Sequence, residues 1–113
     1  MMPSLIEQIS KLNVPKAQPP TIPTLVVEAA ERLGFTLTLT SPSVPEQYEV
    51  HRFGEPSGYV AARWGGMMVS YPDAGGEELY GGPIDGFGSF TDHEREAKLL
   101  FSLALVAARM VQE

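Results

Sequence analysis

Two rhythms of apolar and polar residues divide this 113-residue chain. The helical rhythm is strongest from Asp92 to Gln112, DHEREAKLLFSLALVAARMVQ. On a wheel of 3.6 residues per turn, Leu99, Leu103, Val106 and Met110 form one stripe. Leu100, Ala104, Ala107 and Val111 form the next, and Phe101 and Ala108 widen the arc. Arg95, Lys98, Ser102 and Arg109 leave a narrow polar edge. Thr91 followed by Glu94 makes a capping box, and Asp92, Glu94, Glu96 and Arg109 complement the helix dipole. A helix this apolar is expected to lie buried against a sheet and to touch another helix or a second subunit. Thr24 to Leu33, closed by Gly34, predicts a shorter helix. Its Leu25, Val26, Ala29 and Leu33 are expected to face inward, with Glu28, Glu31 and Arg32 in water. Near the start, Ser4 and Glu7 cap a short amphipathic helix bearing Leu5, Ile6, Ile9 and Leu12. Pro19, Pro20 and Pro23 follow and turn residues 1–23 into a helical, proline-rich arm.

The second rhythm has a period of two. Phe35-Thr36-Leu37-Thr38-Leu39-Thr40 alternates cleanly and predicts a strand with its threonines outward. Gln47 to Phe53, Tyr59 to Trp64 and Met67 to Tyr71 predict three more. Gly54 to Gly58 is read as a loop and Gly65-Gly66 as a tight primed turn. Placing Trp64 opposite Met67, and Phe53 opposite Tyr59, gathers Tyr48, Val50, Val60, Ala62, Trp64, Met67, Val69 and Tyr71 on one apolar face. The other face then collects Glu49 opposite Arg63, with His51 and Tyr59. Pro72 to Phe90, rich in glycine, is read as one long loop. The expected fold is α+β: a four-stranded antiparallel meander packed on two helices, in the order α-α-β-β-β-β-α. Residues 1–23 form the arm and residues 24–113 a single domain. This order of helix, strands, helix is similar to that of double-stranded RNA-binding domains. The similarity ends at element order, because the basic helix start and lysine-rich contacts are absent, so that function is not carried over.

Charge adds a location to this picture. The net charge is −6. Residues 1–71 are nearly balanced, whereas the stretch from Pro72 to Glu96 holds seven acids against Arg95 alone. No cluster of lysine and arginine is available to neutralise phosphates, so direct nucleic-acid binding is not expected. A protein partner with a basic surface fits better. The chain has no cysteine, which removes disulfides, thiolate metal sites and cysteine nucleophiles. The N-terminus lacks a signal-peptide pattern, and the apolar run from Leu99 to Val111 is too short for a bilayer, so a cytoplasmic protein without membrane attachment is expected.

Candidate chemistry is sparse. His51 beside Glu49 is the minimum for general base work, with Ser57 and Ser70 near it by topology, but no nucleophile is positioned by any motif. Asp73, Glu77, Glu78 and Asp85 are hard oxygen ligands without an EF-hand spacing, so neither a metal site nor a cofactor is expected. Three functions compete. The first is a non-catalytic, acidic protein-binding domain, an inhibitor or antagonist of a protein with a basic surface such as a nucleic-acid-handling or defence nuclease. Its contacts would be Asp73, Glu77, Glu78, Tyr80, Asp85 and Phe87. The second is a small enzyme or ligand-binding domain using Glu49, His51, Tyr59 and Arg63. The third is a chaperone or assembly subunit, a homodimer through the last helix near Phe101, Leu105 or Ala108.

Overall fold

The computed structural model describes residues 20–112, so the short N-terminal helix and most of the arm expected from the sequence lie outside the described residues. Two helices and five strands follow: α1 Thr24–Arg32, β1 Thr36–Pro42, β2 Glu46–Arg52, β3 Glu55–Arg63, β4 Gly66–Tyr71, β5 Glu77–Pro83 and α2 Asp92–Val111. The strands form one antiparallel sheet in the order β1-β2-β3-β4-β5. The class is the α+β expected, with one strand more than the four read from the sequence. The extra strand, β5, lies inside the stretch read as a long loop. Its EELYGGP has no clean alternation because a bulge interrupts it between its pairings with Val69 and Ser70.

The hairpins also turn differently. Both are two-residue turns that place an aromatic residue and a glycine at positive φ: Phe53-Gly54 (φ 52° and 78°) and Trp64-Gly65 (φ 55° and 74°). Such turns match the right-handed twist of the flanking strands. β3 therefore starts at Glu55, where a loop was expected, and Tyr48 faces Val60 rather than Trp64. Across the next hairpin, Ala62 faces Met67 rather than Val69. Both corrections shift the pairing by an even number of residues, so the face assignments survive, except for Trp64. Expected on the inner face, Trp64 sits in the turn and is 60% exposed. Tyr48, Val50, Val60, Ala62, Met67 and Val69 all lie buried on the inner face.

The helices cover that inner face. α2 crosses β3, β4 and β5 and packs beside α1, which sits over β1. Leu99, Leu103 and Val106 of α2 enter the core as expected. The polar edge expected of this helix is corrected, because Arg95 and Ser102 are buried. Ser102 is satisfied by donating to the Lys98 carbonyl at 2.8 Å. The outward side keeps Ala104, Ala108 and Val111 exposed, so α2 is covered on one face rather than all round. In α1 the buried residues are Val26 and Ala30, one turn apart, while Leu25 and Leu33 are largely exposed instead of inward. No helix among the described residues is long and apolar enough to cross a membrane.

Candidate functional site

Among the described residues no helix lies on the outer face of the sheet, and a groove runs along β3 across it. Toward the Trp64-Gly65 turn the groove has a volume of about 510 Å³ and is lined by Gln47, Tyr59, Ala61, Arg63, Trp64 and Met68, among others. Toward the other end a smaller cavity of about 210 Å³ is lined by Glu49, His51, Pro56, Tyr59 and Asp73. Tyr59 belongs to both. Burial raises the Tyr59 pKa; the Arg63 charge opposes that shift and Glu49 reinforces it. The tyrosine thus stands between a cationic and an anionic part of one surface. The residues read as a ligand face, Glu49, His51, Tyr59 and Arg63, are brought onto this surface, although Glu49 pairs with Tyr59 and His51 with Pro56 rather than with Arg63 and Ala61. Ser57 and Ser70 do not line the His51 cavity; the Ser57 hydroxyl donates to the Glu55 carbonyl at 3.1 Å.

The rim beside Arg63 is aromatic. Trp64 and Phe87 meet edge to face, with ring centroids 5.2 Å apart, and remain 60% and 68% exposed. Val44, 53% exposed, lies next to them, because its N–H donates to the Gly88 carbonyl. Neither Trp64 nor Val44 has favourable backbone for its side chain: their φ values are 55° and 46°, a region that bulky L-residues avoid.

Phe87 is held there by the segment from Ile84 to Thr91, which is fixed by its backbone hydrogen bonds together with Phe90, buried in the core. The Ile84 N–H donates to the Gly65 carbonyl and the Gly65 N–H donates to the Phe87 carbonyl. The Glu94 carboxylate accepts from the N–H groups of Asp85 (2.8 Å), Gly86 (2.9 Å) and Thr91 (2.9 Å) and from the Thr91 hydroxyl (3.1 Å). Burial works to raise the Glu94 pKa, but these donors outweigh it and hold it below the usual carboxylate range. The capping box read from Thr91 and Glu94 is therefore present and does a second task, closing the loop before the helix.

A buried ionic cluster anchors the other side of the segment. Arg95 donates to Glu46 through Nε (2.8 Å) and Nη2 (3.0 Å), and Nη2 also reaches the Phe90 carbonyl (2.9 Å). Glu46 accepts in addition from the Phe90 N–H (3.2 Å) and the Tyr48 hydroxyl. Hydrogen bonding to Glu46 is the main cause that raises the Arg95 pKa, and burial raises that of Tyr48. No buried side-chain nitrogen or oxygen among the described residues lacks a partner. β2, α2 and the rim are thereby tied together.

The acidic stretch is contiguous in sequence but divided in space. β5 runs the length of the sheet, about 20 Å for seven residues. Asp73, Glu77 and Glu78 lie at or near one of its ends, and Asp85 and Phe87 follow the other. Glu77 is bound to Arg109 at 2.6 Å, and Tyr80 points to the helices, stacking edge-on with Phe101 at 4.8 Å. Among the described residues no group of three His, Cys, Asp or Glu side chains converges to hold a metal ion. Trp64 was expected on the inner face, opposite Met67, and Val44 was not singled out in the sequence. A lone tryptophan directly before a glycine in a hairpin was the available signal, because it puts the indole at the turn rather than in the core. Compared with known protein families, curated proteins and solved structures, the chain matches none.

Proposed function

We propose that this chain is a non-catalytic protein-binding domain, an inhibitor or antagonist that takes a segment of a basic partner protein onto the outer face of its sheet. The observation that carries this reading is the exposed Trp64–Phe87 pair at the rim of the β3 groove. Tryptophan and arginine are over-represented among the residues that dominate binding energy, and Trp64 here adjoins Arg63. Apolar side chains of the partner would cover the pair. A basic side chain would meet Glu49 and Asp73 at the far end, about 20 Å away along β3. The two sets of candidate residues read separately from the sequence contribute to one surface: Phe87 with Arg63 and Tyr59, and Asp73 with Glu49 and His51.

Panning a random-peptide library against the full chain, with Trp64→Asn protein as counter-selection, tests the reading. The enriched peptides should combine an aromatic or aliphatic residue with lysine or arginine, and should lose at least tenfold in affinity for the variant. Peptides that bind both proteins equally, or no enrichment, would reject it.

A second reading rests on the 210 Å³ cavity, where Glu49, His51, Tyr59 and Asp73 meet. A cavity with a few convergent polar groups also suits a small ligand. Fragment screening by amide chemical shifts would support this if perturbations cluster on His51 and Tyr59.

A further inference from the structure

The two edges of the sheet are built differently. β5 is blunted by Glu77 and Glu78 and by Gly81-Gly82, whereas a bulge and a closing proline, Pro83 in β5 and Pro42 in β1, belong to both edges. Charges, bulges and proline are the devices by which natural edge strands refuse another strand. β1, the opposite edge, has no charged residue, and no proline before Pro42. Its Thr36-Leu37-Thr38-Leu39-Thr40 reads the same in both directions. Among the described residues it pairs with β2 alone. Leu37 and Leu39 on its inner face are only half-buried, and its threonines are exposed.

We infer that β1 is a self-pairing edge, joining two copies of this chain antiparallel about a two-fold axis at Thr38. In that register Thr38 meets Thr38 of the second copy, Leu37 meets Leu39, and Thr36 meets Thr40. Every cross-strand pair is like on like, leucines on the helix side and threonines on the outer side, and both kinds of pair are favourable. The register shift between Leu39 and Ser41 makes Thr40 the bulged residue, so the pairing centres on Leu37 to Leu39, with Thr36 and Thr40 at its margins. α1 supports the same junction. It sits over β1, and its Ala29 and Leu33 line a groove shared with α2. Val27, about 160° round the helix from Ala29, is on the side away from α2 and is exposed. It would cover the leucines of the second copy. A two-fold axis normal to the sheet keeps both outer faces on the same side. The pair would thus present two Trp64 rims to one partner.

The test is sedimentation of the full chain over a concentration series. The wild type should dimerise. Thr38→Lys, a change at an exposed outer-face position, should raise the dissociation constant at least tenfold while leaving the circular dichroism spectrum unchanged. Because the chain has no cysteine, Thr38→Cys should form a disulfide-linked dimer on mild oxidation, well ahead of the exposed control His93→Cys. A monomer at 0.1 mM, on the order of common assay limits for weak dimers, would overturn the inference. So would a dimer that Thr38→Lys leaves intact and Phe101→Ser dissociates.

Discussion

Replacing Arg95 with methionine isolates the buried ionic cluster. The substitution keeps an unbranched apolar stem of similar reach but removes both guanidinium donors to Glu46. Glu46 is fully buried, so its charge would keep only the Phe90 N–H and the Tyr48 hydroxyl. Breaking a buried pair by removing one partner costs about 3–5 kcal/mol. The Asp92 arm of the same arginine adds little, because the Asp92 side chain is 99% exposed and such pairs give roughly 0–1 kcal/mol. A domain of this size has about 5–15 kcal/mol in total, so the loss is a large fraction. With a urea slope of about 1–3 kcal/mol/M, the unfolding midpoint followed by circular dichroism should fall by about 2 M. Adding Glu46→Gln should then return part of the loss, because the charge is gone while the amide oxygen still accepts from Phe90 or Tyr48. A loss under about 1 kcal/mol for Arg95→Met would refute the reasoning. So would a Glu46→Gln that deepens the loss, since the penalty would not then lie in the unpaired carboxylate.

Three other outcomes follow from single positions. Phe53, 89% exposed at positive φ before Gly54, should become more stable by about 0.5–1 kcal/mol as Phe53→Asn, because Asn-Gly suits this turn, and a lower urea midpoint would contradict it. Gly58→Ala places a methyl carbon 2.7 Å from Val106 Cγ2, so it should destabilise by about 1–3 kcal/mol and lower the melting temperature, whereas an unchanged melting curve would mean that α2 does not seat there. The lowered Glu94 pKa means that its stabilisation is complete above the unfolded carboxylate value, near about 4.3, and is lost as pH falls through the folded value. Glu94→Gln should therefore be less stable than the wild type at pH 7, and the gap should narrow on acidification. A gap that is constant from pH 7 to pH 3 would contradict the capping carboxylate.

Local chemistry made part of this protein legible from its sequence. Thr91 and Glu94 announce the start of α2, and Gly34 announces the end of α1, because caps are satisfied within a few residues. The alternation in β1 to β4 showed which residues face the helices, since an even slip of register preserves the face, but it misplaced Trp64, which the turn takes out of the strand. β5 was hidden because a bulge and paired glycines erase alternation, so the strand forms only where β4 offers it a ladder. The same locality explains the burial of Arg95. On a helical wheel it is a polar edge, and only Glu46, 49 residues earlier, makes its burial affordable. The candidate site divides in the same way. Glu49, Tyr59 and Arg63 share a face by parity alone. Trp64, Phe87 and Asp73 join them through turns and loops whose placement depends on hydrogen bonds from distant backbone. Short-range periodicity and capping are properties of the chain itself. Register, the fifth strand and the convergence of the groove depend on partners far along the chain, and only the folded sheet supplies them.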